Sequence, residues 1–176
     1  MGQKLTSKSA LNNHTGTGDL YMVVDVSDTT GSAAGTSKKL DSKFVIQTDK
    51  ISVSNAEINA LRTTAKTLVS APGSGYAIVP ICAMIMCTYA APTASGKPSM
   101  FIGHQAGSGT NYGSLVANAM VGQTTDNVYR FSGSTTAPTR TSSIDNLPLL
   151  LANNTTADFN GGFTAVVYIT YQIVLL

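Results

Sequence analysis

The chain of 176 residues has room for one well-buried domain and an appendage, and too little for a second large domain. Only 11% of its residues are charged, against about 25% in average soluble proteins, so Ser, Thr, Asn and Gly must supply most of the polar surface. Eleven Lys and Arg against nine Asp and Glu leave a net charge of +2; the cations are scattered, with no basic stripe and no interleaved aromatics, which argues against nucleic-acid binding.

No Trp, 16 Gly and many short β-branched runs favour an all-β domain. Low charge also suits a surface that meets other proteins, because charged side chains are depleted from interface cores. Met1 to Ala10 lacks the apolar core of a signal peptide. The longest apolar stretch, Ile78 to Cys87, falls far short of the roughly 20 residues a membrane helix requires. The expectation is a soluble product of a cytoplasm, with no membrane insertion.

In chain order, residues 1–18 are polar; alone they are expected to be disordered, and within an assembly to form an extended arm lying on a neighbour. Tyr21 to Val26 is a short apolar strand with Asp19, Asp25 and Asp28 at its ends; a Thr/Gly/Ser/Ala hairpin-like tract and the pair Lys38-Lys39 follow. Lys43 to Gln47 reads as a second strand. Ser54 and Glu57 have capping-box spacing, and Ile58 and Leu61 share a face, so Asn55 to Arg62 is predicted as a helix of about two turns. Its expected place is a hinge between arm and main domain.

From Lys66 onward the pattern is β-like. Leu68 to Ser70 is a short strand, ended by the turn Ala71-Pro72-Gly73-Ser74-Gly75. Tyr76 to Tyr89 is apolar on both faces and reads as a central strand buried on both sides, with Pro80 as a break or bulge. Cys82 and Cys87 on that strand are an odd number of positions apart and point to opposite faces, so they are expected as buried free thiols rather than as a disulfide. Further strands are expected at Ser99 to Gly103, Leu115 to Val121 and Asn127 to Phe131, with loops at 91–98, 105–113 and 132–143. Asn146 to Leu151 leads through an Asn/Thr turn to Gly161-Gly162. In the closing strand, Phe163, Ala165, Val167, Ile169, Tyr171 and Ile173 alternate with Thr164, Thr170 and Gln172, the period of a half-buried strand.

Residues suited to chemistry are few. His104 lies beside a glycine-rich loop, but neither it nor His14 has an acidic partner nearby in sequence, and a metal site needs three or four ligands. The Asp19, Asp25 and Asp28 set lacks the ligand spacing and turn glycine of a calcium loop. Gly107, Gly109 and Gly113 are followed by no P-loop Lys. Nine acids leave few candidates for a glycosidase pair. The residues thus predict no enzyme, no metal and no cofactor. Tyr112 and Tyr129 flank expected surface loops, where an aromatic ring can stack on a sugar; core or subunit packing is the competing reading.

Three segments together resemble tailed-bacteriophage virion proteins: DLYMVVDVSDTTGSAAGTSKKL (19–40), ISVSNAEINALRTTAKTLVSAPGSGYAIVP (51–80) and NLPLLLANNTTADFNGGFTAVVYITYQIV (146–174). The resemblance implies an N-terminal anchoring arm (1–50) and a C-terminal jelly-roll-like β-sandwich knob (51–176), trimeric and displayed on the particle surface. Tail fibres place a long repetitive shaft after the first module. No shaft is present here, which turns the expectation toward a head fibre or capsid decoration subunit, with a tail fibre or receptor-binding adhesin as the alternative. In that picture Tyr21, Val23, Asp25, Asp28, Lys38 and Lys39 serve virion anchoring, and loops around His104 and Tyr112 face a host surface glycan. The expected partners are two further copies of the chain and other capsid or tail proteins.

Overall fold

The computed structural model describes residues 20–25, 27, 30, 36–41, 44–95, 99–104, 111–114, 120–133, 144–153 and 158–176. The chain divides into two units, Met1–Val45 and Ile46–Leu176. In the first, β1 (Leu20–Asp25) and β2 (Thr36–Asp41) pair antiparallel, from Leu20 opposite Asp41 to Asp25 opposite Thr36. The acidic strand and its cationic return are therefore the two sides of one hairpin. The strand expected at Lys43 to Gln47 is displaced: Phe44 and Val45 lie in a tight turn and bend, and β3 is Gln47–Val53. Its polar start, Gln-Thr-Asp-Lys, hides the strand until its pairing with the terminal strand is known. That strand also straddles the expected arm–knob boundary at residue 50 and belongs to the second unit.

The second unit continues with α1 (Asn55–Ala60), β4 (Lys66–Val69), β5 (Tyr76–Thr88), β6 (Met100–Gly103), β7 (Asn111–Ser114), β8 (Asn127–Arg130), the two-residue β9 (Ser132–Gly133), β10 (Leu149–Asn153) and β11 (Thr164–Leu175). One sheet has the order β3-β11-β5-β8 and the other β4-β10-β6-β7-β9, and every pairing is antiparallel. Leaving β9 aside, the eight strands in chain order give sheets 1-8-3-6 and 2-7-4-5. Successive strands cross from sheet to sheet except in the β6–β7 hairpin. This is the jelly roll, an all-β sandwich of two interleaved Greek keys.

The interior follows from β11. Ala165, Val167, Ile169, Tyr171 and Ile173 are all buried, as their period of two predicts. They meet Ile78 and Ile85 of β5 within their own sheet and Leu68, Ile102, Leu149 and Leu151 of the facing sheet, in a single hydrophobic cluster. The capping box at Ser54 and Glu57 is formed as predicted. Helix α1 is no hinge, however. Ile58, with Leu61 just beyond the helix, is buried in the same cluster, and the Asn55 side chain donates to the backbone carbonyls of Gly161 and Phe163, bolting α1 to the approach of β11.

The predicted 71–75 turn is present. Gly73 and Gly75 adopt φ values of +104° and +82°, a region nearly closed to other residues. Their N–H groups donate to Asn146 Oδ1 (2.9 Å) and Asp145 Oδ1 (2.7 Å). Leu176 N–H donates to the Gly75 carbonyl at 2.9 Å, which ties the chain end to the same corner. The strand expected at Leu115 to Val121 ends instead in a turn at Met120 to Gly122; residues 115–119 lie outside the described residues.

Candidate assembly face

Strand β5 was expected to be buried on both faces, and only one face is. It pairs with β11 along its whole length and with β8 along part of it. At Pro80 the register slips: Thr170 lies opposite Cys82 while Tyr171 lies opposite Pro80, leaving Ile81 as the extra residue. Proline has no N–H to give the ladder, so a bulge costs least beside it. The slip keeps both halves of the strand in register with the core, Ile78 on one side of it and Ile85 and Cys87 on the other, while Cys82 turns outward.

The outward side chains form rows across the sheet. One row runs Ser52, Val166, Met86, Val128; the next runs Lys50, Tyr168, Met84, Arg130; a third runs Thr48, Thr170, Cys82. The middle of each row is apolar or uncharged. The two cations stand on the edge strands, Lys50 with its Nζ 6.0 Å from the centre of the Tyr168 ring. Thr48 and Thr170 are linked through their hydroxyls at 2.9 Å. Met86 (43% exposed), Ile81 (53%) and Val128 (59%) are open to solvent. A shallow groove of about 490 Å³ runs over Thr48, Cys82, Met84, Met86, Arg130 and Tyr168. On the facing sheet Phe101 and Ala152, which alternate with the core positions of β6 and β10, are themselves buried, while Leu150 is half-buried.

The two thiols are both free and differ in setting. Cys82 is exposed on the outer face, contrary to its expected burial: regular alternation from buried Cys87 places it opposite the core, and that face is exposed. Cys87 is buried within 3.9 Å of Met120 Sδ, and burial pushes its thiol up to about 12.

The residues singled out from sequence do not converge. His104, expected on a receptor-facing loop, is only 2% exposed; its Nδ1 lies 3.0 Å from the Pro148 carbonyl oxygen, and burial lowers its pKa. A ring held in this way is unavailable to a glycan, so that expectation is corrected. Tyr112 lies on β7, where only the backbone is described. Tyr129 is half-buried against the core, and burial raises its pKa. Tyr21, Val23 and Asp25 sit on β1 opposite Leu40, Lys38 and Thr36, and Lys39 sits opposite Met22. Lys38 is exposed, and Asp28 lies outside the described residues.

One polar cluster went unread in the sequence. The Tyr171 hydroxyl lies 2.8 Å from Gln47 Oε1 and 2.9 Å from Asp49 Oδ2, joining β11 to the start of β3. Burial and the neighbouring Asp49 carboxylate raise its pKa. Nothing local marks these three residues, since only the β3–β11 register brings them together. Among the described residues no group of three or more His, Cys, Asp and Glu could hold a metal ion, and no helix is long and apolar enough to cross a membrane.

Fold and face together define a jelly-roll domain with one open apolar sheet. No protein-family model, curated protein or solved structure matches the chain.

Proposed function

We propose that the chain is a non-enzymatic structural subunit of a tailed-bacteriophage virion, a head fibre or capsid decoration protein. Its N-terminal unit anchors it to the particle, and its jelly roll is displayed as a trimeric knob. The observation that carries this reading is the division of labour along the chain. The acidic–cationic hairpin β1–β2 belongs to a unit of its own, and among the described residues the jelly roll that follows without a shaft exposes the outer face of one sheet, apolar at its middle. An isolated two-stranded hairpin is marginal in water, so the N-terminal unit gains most of its stability against a partner surface. Fold alone does not specify function; the weight rests on the open face and on the three resembling segments.

The mass of the intact chain in solution tests the trimer. Light scattering on the purified protein is expected to give three times the 18.2 kDa of one chain. A mass equal to a single chain at micromolar concentration would remove the trimeric knob from this reading.

A further inference from the structure

We infer that the outer face of the β3-β11-β5-β8 sheet is the surface through which copies of this chain pack against one another, gathered around a common axis with Met84, Met86, Tyr168 and Cys82 at the centre of the contact. The inference rests on the assembly reading above and names the surface that carries it.

Three observations choose a second copy as the occupant. The first is area. At about 3.3 Å per residue and about 4.8 Å between strands, strands of 7, 12, 13 and 4 residues present roughly 600 Å² of flat sheet before the relief of their side chains is counted. That approaches the ~800 Å² each partner contributes to a standard stable interface. The second is layout. Met84, Met86 and Cys82 occupy the middle, while Lys50 and Arg130 stand on the two edge strands, the apolar centre and polar rim of protein contacts. The third is charge. A net charge of +2 per chain makes the approach of identical copies cheap, and the centre of the face carries no charged side chain that would be stranded when water leaves.

The face holds its own reporter, because Cys82 is exposed on it and Cys87 is buried in the core. The experiment measures the alkylation rate of Cys82 by a maleimide in the full-length chain, locating the label by peptide mass spectrometry. It is run alongside light scattering for the wild type, Met86→Lys and Met84→Lys. Met86 is exposed and Met84 half-buried on the outer face of the single chain, and circular dichroism checks that the fold is kept. The expected result is an oligomeric wild type whose Cys82 is protected, and variants of unchanged spectrum whose association is weakened on the order of a hundredfold or more, the effect of burying an unpaired charge. In the dissociated variants Cys82 reacts freely. An oligomeric wild type with freely reactive Cys82, or folded variants that remain oligomeric, would overturn the face while leaving the trimer intact. A monomeric wild type would overturn the face and the trimer together.

Discussion

Replacing Tyr171 with Phe removes one hydroxyl and leaves the ring, which makes it a clean probe of how β3 is held to the jelly roll. The ring belongs to the buried face of β11, and Phe keeps those apolar contacts. What is lost is the only proton shared with Gln47 Oε1 at 2.8 Å and Asp49 Oδ2 at 2.9 Å. A single hydroxyl hydrogen serves one acceptor at a time, and the carboxylate is the stronger. Hydrogen bonds to charged groups contribute about 1.5–3 kcal/mol, so Tyr171→Phe is expected to cost about 2 kcal/mol at pH 7. Urea unfolding at matched chain concentration measures it, since self-association adds a concentration-dependent term. The pH dependence supplies a second check. The folded-state pKa is raised above the ordinary 10.0, so the contribution is complete below pH 10. Above pH 10 the unfolded chain ionises first and is favoured, and the gap between wild type and variant narrows. A variant within about 0.5 kcal/mol of wild type, or a gap that widens above pH 10, would refute the reasoning.

Gly162→Ala places a Cβ 2.3 Å from the Ala90 carbonyl oxygen and 2.4 Å from that of Ala91. Backbone cannot yield as a side-chain tip can, so a loss of more than about 3 kcal/mol in thermal or urea unfolding is expected. Glu57 is held down to about 2, from 4.5, chiefly by its hydrogen bond to Lys66 and then by those to Ser54. Its contribution is present above pH 4.5 and lost as pH falls toward 2; Glu57→Gln should show a flatter acid-unfolding profile across that window and a less stable fold at pH 7. Removing residues 1–45 should leave Ile46–Leu176 with its own cooperative unfolding transition while abolishing its recovery with purified particles.

The periodic parts of the fold were legible because burial writes itself into alternating side chains. β11 and the capping box of α1 show this, and so do the glycines of the 71–75 turn. What stayed hidden depends on partners distant in sequence. β3 is polar for most of its length and becomes a strand through its ladder with β11. The return of Ile78 to the core face follows from a bulge whose position pairing decides, although Pro80 marked the place. His104 looked accessible beside glycines, yet its neighbour in space, the Pro148 carbonyl, is 44 positions away in the chain. The open apolar face was hidden by its own composition. A run such as Ile81-Cys82-Ala83-Met84-Ile85-Met86 reads as buried on both sides, and only the fold shows which side is exposed among the described residues.

The most direct test of the proposed role is electron microscopy of tailed-phage particles purified from host cells that produce this chain, labelled with an antibody raised against Ile46–Leu176. The account predicts label over the head surface, lost from particles assembled with a chain that lacks residues 1–45. Unlabelled particles, with the chain recovered only in the soluble fraction of the host, would contradict it.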